Sequence, residues 1–168
     1  HYGFNTARIN LRSSGETSSL SQTLYHAGLS EDVFAVLETI KEMGLNEKIF
    51  LAGISLSGNT SLKAMGELGE KARETIGGLV VISSVVDLTY NNGHQLVDTS
   101  IYRRPVVNKL KNAARKKAEK DPENWDISKL PGIHTVYDFD DAFQAGPPPT
   151  KWGFESGDDY YRKANALP

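Results

Sequence analysis

The sequence predicts an α/β fold built on a parallel sheet of about three strands. Apolar runs of strand length alternate with segments of helical periodicity between residues 4 and 84, and the rhythm changes after Val86. Such alternation places parallel strands in one sheet with helices on its faces. The chain has 168 residues, of which 39% are hydrophobic and 24% charged, as expected for one globular domain with a sizeable core.

The first half contains the predicted strands. Residues 4–11 are β-compatible and end in a loop rich in serine and glycine. A helix is predicted after this loop, with Ser30 as its N-cap and Gly44 as its C-terminal stop. The second strand covers residues 48–54 and leads into a second helix over residues 59–68.

The third predicted strand covers residues 79–84 and follows a break at Gly77-Gly78. Beyond Val86 the pattern indicates helices alone. Residues 99–120 form a predicted helix with one basic side, which is interpreted as a solvated face, with a lipid-interface role as the alternative. A last helix begins near residues 156–158. This half is expected to pack over the sheet without adding strands to it.

One stretch carries a chemical signature. Ser55 follows the apolar strand and precedes a helix, with Gly53 two residues before it and Ser57 two residues after it. This pattern is close to G-x-S-x-G, in which a serine on a tight strand-to-helix turn is exposed to a base and to backbone N–H donors. The alternative interpretation makes Ser55 or Ser57 a helix N-cap.

Composition excludes several function classes. The net charge of -2 gives no general attraction to nucleic acid. The chain has no cysteine, and the carboxylate pairs Asp140-Asp141 and Asp158-Asp159 are interpreted as solvated or capping groups, so neither metal nor cofactor is predicted. The apolar run over residues 79–86 is too short to span a bilayer. The cytoplasm is the expected compartment.

Several motifs together resemble one family. Residues 53–59, Gly-Ile-Ser-Leu-Ser-Gly-Asn, resemble the elbow G-x-S-x-G-G-N of the YheT-like branch of the α/β-hydrolases, with Ser57 as the departure. Residues 12–15 resemble its Arg-Gly-x-Gly loop, with a serine in place of one glycine. The remaining matches are Tyr25-His26-Ala27-Gly28, Glu31-Asp32, Phe139-Asp140-Asp141 and Asp159-Tyr160-Tyr161.

The resemblance implies a partial α/β-hydrolase fold, with residues 1–88 as a core fragment and residues 89–168 as a helical lid insertion. It implies a serine hydrolase of carboxylic esters with medium or long acyl chains, in which Ser55 is the nucleophile and the backbone N–H of Leu56 an oxyanion donor. Gly53, Ser57 and Gly58 would shape the elbow. Further expected lid residues, lining the acyl site or forming plain lid core, are Tyr102, Trp125, Phe143, Trp152 and Phe154.

The same resemblance places the triad acid and histidine after Pro168 and the second oxyanion loop before His1. A compact triad of Ser55, Asp87 or Asp98, and His134 has the required chain order and remains an alternative. His26 is a candidate for lining the site, although a hydrogen-bonded loop residue is the simpler interpretation.

Two further alternatives concern the activity. The family also transfers acyl groups to alcohols. The serines that replace glycines favour a non-catalytic homologue that serves as a binding or scaffold module.

Overall fold

The structure is a computed structural model that describes residues 3, 5–15, 18, 20–44, 48–90, 100–148 and 151–167. The described residues form six α-helices and two β-strands, in the order α1 Ser30–Glu42, β1 Ile49–Ile54, α2 Leu56–Leu68, α3 Ala72–Thr75, β2 Ile76–Ile82, α4 Ser100–Ala118, α5 Val136–Phe143 and α6 Gly157–Ala164. Short 3-10 turns cover Gly69–Lys71 and Ile127–Gly132.

The sheet contains two parallel strands in the described part of the chain, rather than about three. β1 and β2 pair from Ile49 with Ile76 to Ile54 with Ile82. Residues 5–11, most of the predicted first strand, form no ladder with them and are almost entirely exposed. A strand is stabilised by pairing and by a covered face, and these polar, exposed residues have neither.

The predicted break at Gly77-Gly78 is wrong, because both glycines lie inside β2. Phe50 of β1 pairs with Gly78. A Cβ at Gly77 would lie 2.7 Å from the Phe50 ring. The glycines therefore make room for an aromatic side chain on the neighbouring strand.

α1 and α2 cover one face of the sheet. Val33 and Leu37 of α1 and Ala64 of α2 form a buried cluster, against which Ile49 and Leu51 of β1 pack. α1 ends before Gly44, which has φ 77° and confirms the predicted stop. Ser30 is not the N-cap: it lies inside α1 and its hydroxyl bonds to Glu67 of α2.

The second half is helical among the described residues, as expected, apart from a single bridge between Ala145 and Phe154. α4 and α6 occur where the sequence predicts helices. α5 was not predicted as a helix, and it begins with a capping box between Thr135 and Asp138. No helix in the described ranges has both the length and the apolar character that crossing a membrane requires.

Two further clusters form the core. The helical cluster consists of Leu24, Val107, Ala114, Ala118, Trp125, Leu130, Ile133, Phe139 and Phe143. The joint cluster consists of Ala27, Leu88, Tyr160, Tyr161 and Ala164. Leu56 at the start of α2 packs against the joint cluster, so residues from both halves of the chain meet beside Ser55.

Candidate functional site

Ser55 occupies the turn between β1 and α2. Its φ of 55° and ψ of −124° are values that a residue with a Cβ adopts only where its surroundings impose them. The N–H of Ser55 donates to the carbonyl of Ile82 at 3.0 Å, which ties the turn to the end of β2. The side chain is exposed, and it makes no capping hydrogen bond to α2. Ser55 is therefore not a side-chain N-cap.

Close approach of neighbouring atoms explains two glycines near Ser55. A Cβ at Gly53 would lie 2.7 Å from the Cα of Gly58 and 2.8 Å from the carbonyl oxygen of Ser57. A Cβ at Gly58 would lie 2.6 Å from the Oγ of Ser84. These distances leave no room for a side chain at either glycine. The second crowded position of the turn is therefore Gly58, whereas the sequence motif assigns it to Ser57.

Ser57 fits the turn through its hydroxyl. Its Oγ donates to the carbonyl of Ile54 at 2.8 Å and accepts from the N–H of Ile54 at 3.0 Å. Successive strand residues present their polar groups to opposite sides. The N–H of Ser55 faces β2, so the groups of Ile54 face the opposite edge, where Ser57 meets them. Ser57, which departs from the motif, thus supplies hydrogen-bond partners for the N–H and the carbonyl of Ile54 at the end of β1.

The N–H of Leu56 is available at the same turn. Leu56 is the first residue of α2, and the first N–H groups of a helix have no acceptor within it. The helix dipole adds partial positive charge there. The leucine side chain packs against the joint cluster, so the exposed hydroxyl of Ser55 and a helix N-terminal donor are consecutive in the chain.

Asn59 holds the first turn of α2 in place. Its side chain is fully buried. The Nδ2 atom donates to the carbonyls of Ala27 at 3.0 Å and Ala164 at 2.8 Å, and Oδ1 accepts from the N–H of Ala166 at 3.1 Å. Asn59 thereby connects the helix after Ser55 to the loop before α1 and to the end of α6.

His26 lies in an aromatic cage. Its ring makes edge contacts with Trp152, Phe154 and Tyr160 at centroid distances of 4.5, 5.3 and 5.6 Å. Its Nδ1 accepts from the N–H of Gly28 at 3.0 Å. Burial lowers the pKa of His26 to about 4, so its ring is neutral at neutral pH. These contacts match the structural interpretation of His26.

The members of the compact triad are not joined. His134 is exposed, and Asp87 accepts from the N–H and the hydroxyl of Thr89 at 2.9 and 2.6 Å. No hydrogen bond between described residues connects either side chain to Ser55. Asp98 lies outside the described residues. The structure therefore places the hydroxyl of Ser55 next to the N–H of Leu56, and neither His134 nor Asp87 is bonded to that serine among the described residues.

The aspartate and tyrosine motifs form buried contacts. The hydroxyl of Tyr161 donates to Oδ2 of Asp140 at 3.0 Å, and the hydroxyl of Tyr160 accepts from the N–H of Ala27 at 2.9 Å. Burial raises the pKa of Asp140 to about 7. Asp140 is therefore not the solvated or capping carboxylate that the sequence predicts, whereas Asp141 does cap, since it accepts from the N–H that starts α6.

Two of the aromatic residues expected near the site are core residues. Trp125 and Phe143 are each 2% exposed and stack at 5.8 Å in the helical cluster. Trp152 and Phe154 surround His26. The side chain of Tyr102 lies outside the described part. Trp125 and Phe143 therefore pack in the core, whereas Trp152 and Phe154 are half-buried.

Ser83 is a second exposed serine at this edge of the sheet, and the sequence did not single it out. It has φ 48°, it is exposed, and it follows the last residue of β2 as Ser55 follows the last residue of β1. Ile54 and Ile82 are paired, so the two strained serines leave neighbouring strands at the same edge of the sheet. The only sequence signal is a serine pair directly after an apolar run.

Two cavities lie away from the Ser55 turn. One of about 470 Å³ is lined by Thr89, Ser156, Asp158, Tyr161 and Arg162. Another of about 320 Å³ is lined by Arg12, Ser21, Gln22, Thr23, Pro148, Lys151 and Trp152. In the described ranges no three carboxylate or imidazole side chains are grouped as metal ligands.

No protein-family model, no curated protein and no solved structure matches this chain.

Proposed function

We propose that this chain carries the nucleophile of a serine hydrolase that acts on carboxylic esters with medium or long acyl chains. The observation that carries the proposal is the backbone of Ser55, with φ 55° and ψ −124° at a strand-to-helix turn. Strain of this kind persists where function requires a side chain in an unusual position. The turn exposes the hydroxyl at the carboxyl end of the sheet, next to the start of α2.

The proposed reaction proceeds through an acyl-enzyme. The Oγ of Ser55 attacks the ester carbonyl carbon while a histidine base takes its proton. The carbonyl oxygen becomes an oxyanion and accepts a hydrogen bond from the N–H of Leu56. The tetrahedral intermediate then collapses, the alcohol leaves with the proton from the histidine, and the acyl group stays on Ser55. Water activated by the same base releases the acid.

We propose that the histidine and its acid partner come from sequence outside residues 1–168. The contacts of His26 and the exposed position of His134 support this, because neither side chain hydrogen-bonds to Ser55. The helical segment from α4 to α6 is then proposed as a lid that selects the acyl group.

Convergence of the motifs supports the resemblance to the YheT-like α/β-hydrolases. The loop at residues 25–28, Asn59 and the tyrosines of α6 are far apart in the sequence, yet they contact one another directly. Ser13, at a family glycine position, has φ 59°, a conformation that favours glycine. In this proposal the motif residues hold the turn at Ser55 in place, as they would in a protein that shares the fold of that family.

A fluorophosphonate probe tests the nucleophile. The parent protein that contains this chain is expected to be labelled on Ser55, as mapped by mass spectrometry, and Ser55→Ala is expected to abolish labelling. Ser57→Ala and Ser83→Ala are matched controls. Each removes another hydroxyl near the turn and keeps the hydroxyl of Ser55. Labelling at a different serine, or none on a folded parent protein, would refute the proposal.

A second assay separates the alternatives. Chain 1–168 alone is expected to hydrolyse p-nitrophenyl esters no faster than buffer, because the base is missing. Turnover that Ser55→Ala abolishes would instead place the base within the chain. Alcohol added to the active parent protein distinguishes transfer from hydrolysis, since a new ester appears only with transfer. A parent protein that binds esters without turnover would be the non-catalytic homologue.

A further inference from the structure

The positive charge of this chain is concentrated in one segment. Residues 100–120 contain eight of the 19 lysines and arginines but only one of the 21 acidic residues. This segment therefore carries a charge of +7, whereas the rest of the chain carries −9 and the whole chain −2. The near-neutral total conceals a strong separation of charge.

Packing fixes which side of α4 faces outward. Val107, Ala114 and Ala118 are buried in the helical cluster. Lys117 is also on the buried side, where its Nζ donates to the carbonyls of Ser18 and Ser21. Five exposed cations lie on the rest of the α4 surface and on the turn that follows it, and we call them the basic face: Arg104, Lys109, Arg115, Lys116 and Lys120.

The basic face is not neutralised by neighbouring groups. None of its five cations forms an ion pair with a described residue. Between the cations lie Asn108 and Asn112, and Arg115 donates to the amide oxygen of Asn112 at 2.7 Å. Glu119 is the acidic residue of this segment and lies at its carboxyl end. Unpaired cations on the exposed side of a helix favour the binding of an external polyanion.

We propose that the basic face of α4 binds an anionic phospholipid surface. A helix of 19 residues is about 28 Å long, so the basic face extends along an elongated surface that a membrane plane can contact. Charges near an anionic membrane attract basic side chains additively, and the effect decays over a Debye length of about 8 Å. Twenty of the 21 acidic residues lie outside residues 100–120, so a plane that meets this face meets mainly cations.

A lipid surface fits the face better than nucleic acid does. Single-stranded nucleic acid is held by aromatic rings on which bases stack, and the basic face consists of cations and asparagines. Beside it, Pro105 and Val106 are exposed, which gives a small apolar contact that a membrane interface accepts. This proposal does not depend on the chemistry of Ser55.

Vesicle co-sedimentation of the 168-residue chain tests the proposal. Binding is expected with vesicles of phosphatidylcholine and phosphatidylglycerol, but not with phosphatidylcholine alone, and raised salt is expected to remove it. The variant Lys109→Glu, Arg115→Glu, Lys116→Glu is expected to weaken binding by about a hundredfold or more. The corresponding Lys/Arg→Gln triple variant is expected to weaken it less, and circular dichroism verifies that both variants fold.

A charge-matched control isolates the face from net charge. Lys41→Glu, Lys71→Glu, Arg73→Glu changes three exposed cations on other elements by the same amount and is expected to retain binding. Loss of binding in this control equal to that in the α4 variant would overturn the proposal. Absence of binding to phosphatidylglycerol vesicles would also overturn it, as would tighter binding to a DNA oligonucleotide than to those vesicles.

Discussion

At the scale of single residues, backbone strain marks one edge of the sheet. Among the described residues, the non-glycine residues with positive φ are Ser13, Ser55 and Ser83. Ser55 and Ser83 end the two neighbouring strands at the same edge. Such residues cluster at functional sites because the surrounding structure must impose the conformation. The strain therefore points to this edge independently of any sequence motif.

Relief of that strain is measurable. Ser55→Gly is expected to raise the free energy of unfolding by about 1 kcal/mol. Glycine adopts positive φ without a steric cost, and this gain is larger than the extra chain entropy that glycine loses on folding. Ser55→Ala keeps the Cβ and is expected to leave stability nearly unchanged. Chemical denaturation of both variants gives the comparison. Equal stability of the two would show that the turn stores no strain.

The buried carboxyl of Asp140 predicts a pH effect. Its pKa is raised from 3.8 to about 7 in the folded chain. Between these values the folded chain holds a proton that the unfolded chain releases. The contribution of Asp140 to stability is therefore full below about pH 4 and is lost as the pH rises to 7.

Asp140→Asn removes this titration while an amide oxygen can still accept from Tyr161. The free energy of unfolding of the variant, relative to that of the unsubstituted chain, is expected to rise with pH between 4 and 7 by up to about 1.4 kcal/mol per pH unit. His26 titrates in a similar range with the opposite sign, but it is present in both proteins and cancels in the difference. Urea denaturation across this range is the measurement, and parallel curves would contradict the prediction.

At the scale of elements, α2 is positioned from outside its own sequence neighbourhood. The bond from Asn59 to Ala164 joins residues 105 positions apart, and the bond to Ala27 joins residues 32 positions apart. The turn at Ser55 thus depends on α6 and on the loop before α1. A helix alone would not hold the elbow.

Asn59→Ala is expected to lower the free energy of unfolding by about 2–4 kcal/mol, because it leaves the buried carbonyl of Ala164 and the partly buried N–H of Ala166 unpaired. Ser61→Ala is the control in the same helix. Its hydroxyl bonds only to the carbonyl of Ser57 at 2.8 Å, so about 1 kcal/mol or less is expected. Thermal or urea unfolding of the two variants measures the difference, and equal losses would contradict the role given to Asn59.

At the scale of the whole molecule, the described residues cover only one side of the sheet. α1 and α2 pack against one face. On the other face Phe50, Ile54, Val80 and Ile82 are 70%, 63%, 60% and 54% exposed. A parallel sheet is normally covered on both faces, and an apolar patch of this kind interacts with other apolar surfaces.

The exposed sheet face is expected to bind a hydrophobic dye. Anilinonaphthalene sulfonate fluorescence should increase with the folded chain, and Val80→Thr with Ile82→Thr should reduce the increase without lowering stability by more than about 1 kcal/mol. Val106→Thr makes the same change at an exposed position of α4 and is expected to have no effect. Unchanged fluorescence in the double variant would show that the dye binds elsewhere.

Local patterns predicted the elements whose signals lie within a few residues. The apolar run before Ser55, the helix after it and the stop at Gly44 all occur as expected, because strand burial, helical periodicity and positive φ at glycine are local effects. The helix α5 was missed, although Thr135 and Asp138 form a capping box at its start. The prediction of a first strand over residues 4–11 was wrong. A strand needs a paired neighbour, and the local sequence does not show whether one is present.

The sequence by itself determined that Ser55 stands between a strand and a helix, and that positive charge gathers on α4, since both follow from residue order alone. Only the tertiary structure decided that Gly58 rather than Ser57 is the crowded position, that Asn59 and Asp140 are buried supports, and that His26 is enclosed by aromatic rings. Each of these depends on contacts between residues distant in the chain. Such contacts are set by packing in three dimensions, which no short motif encodes.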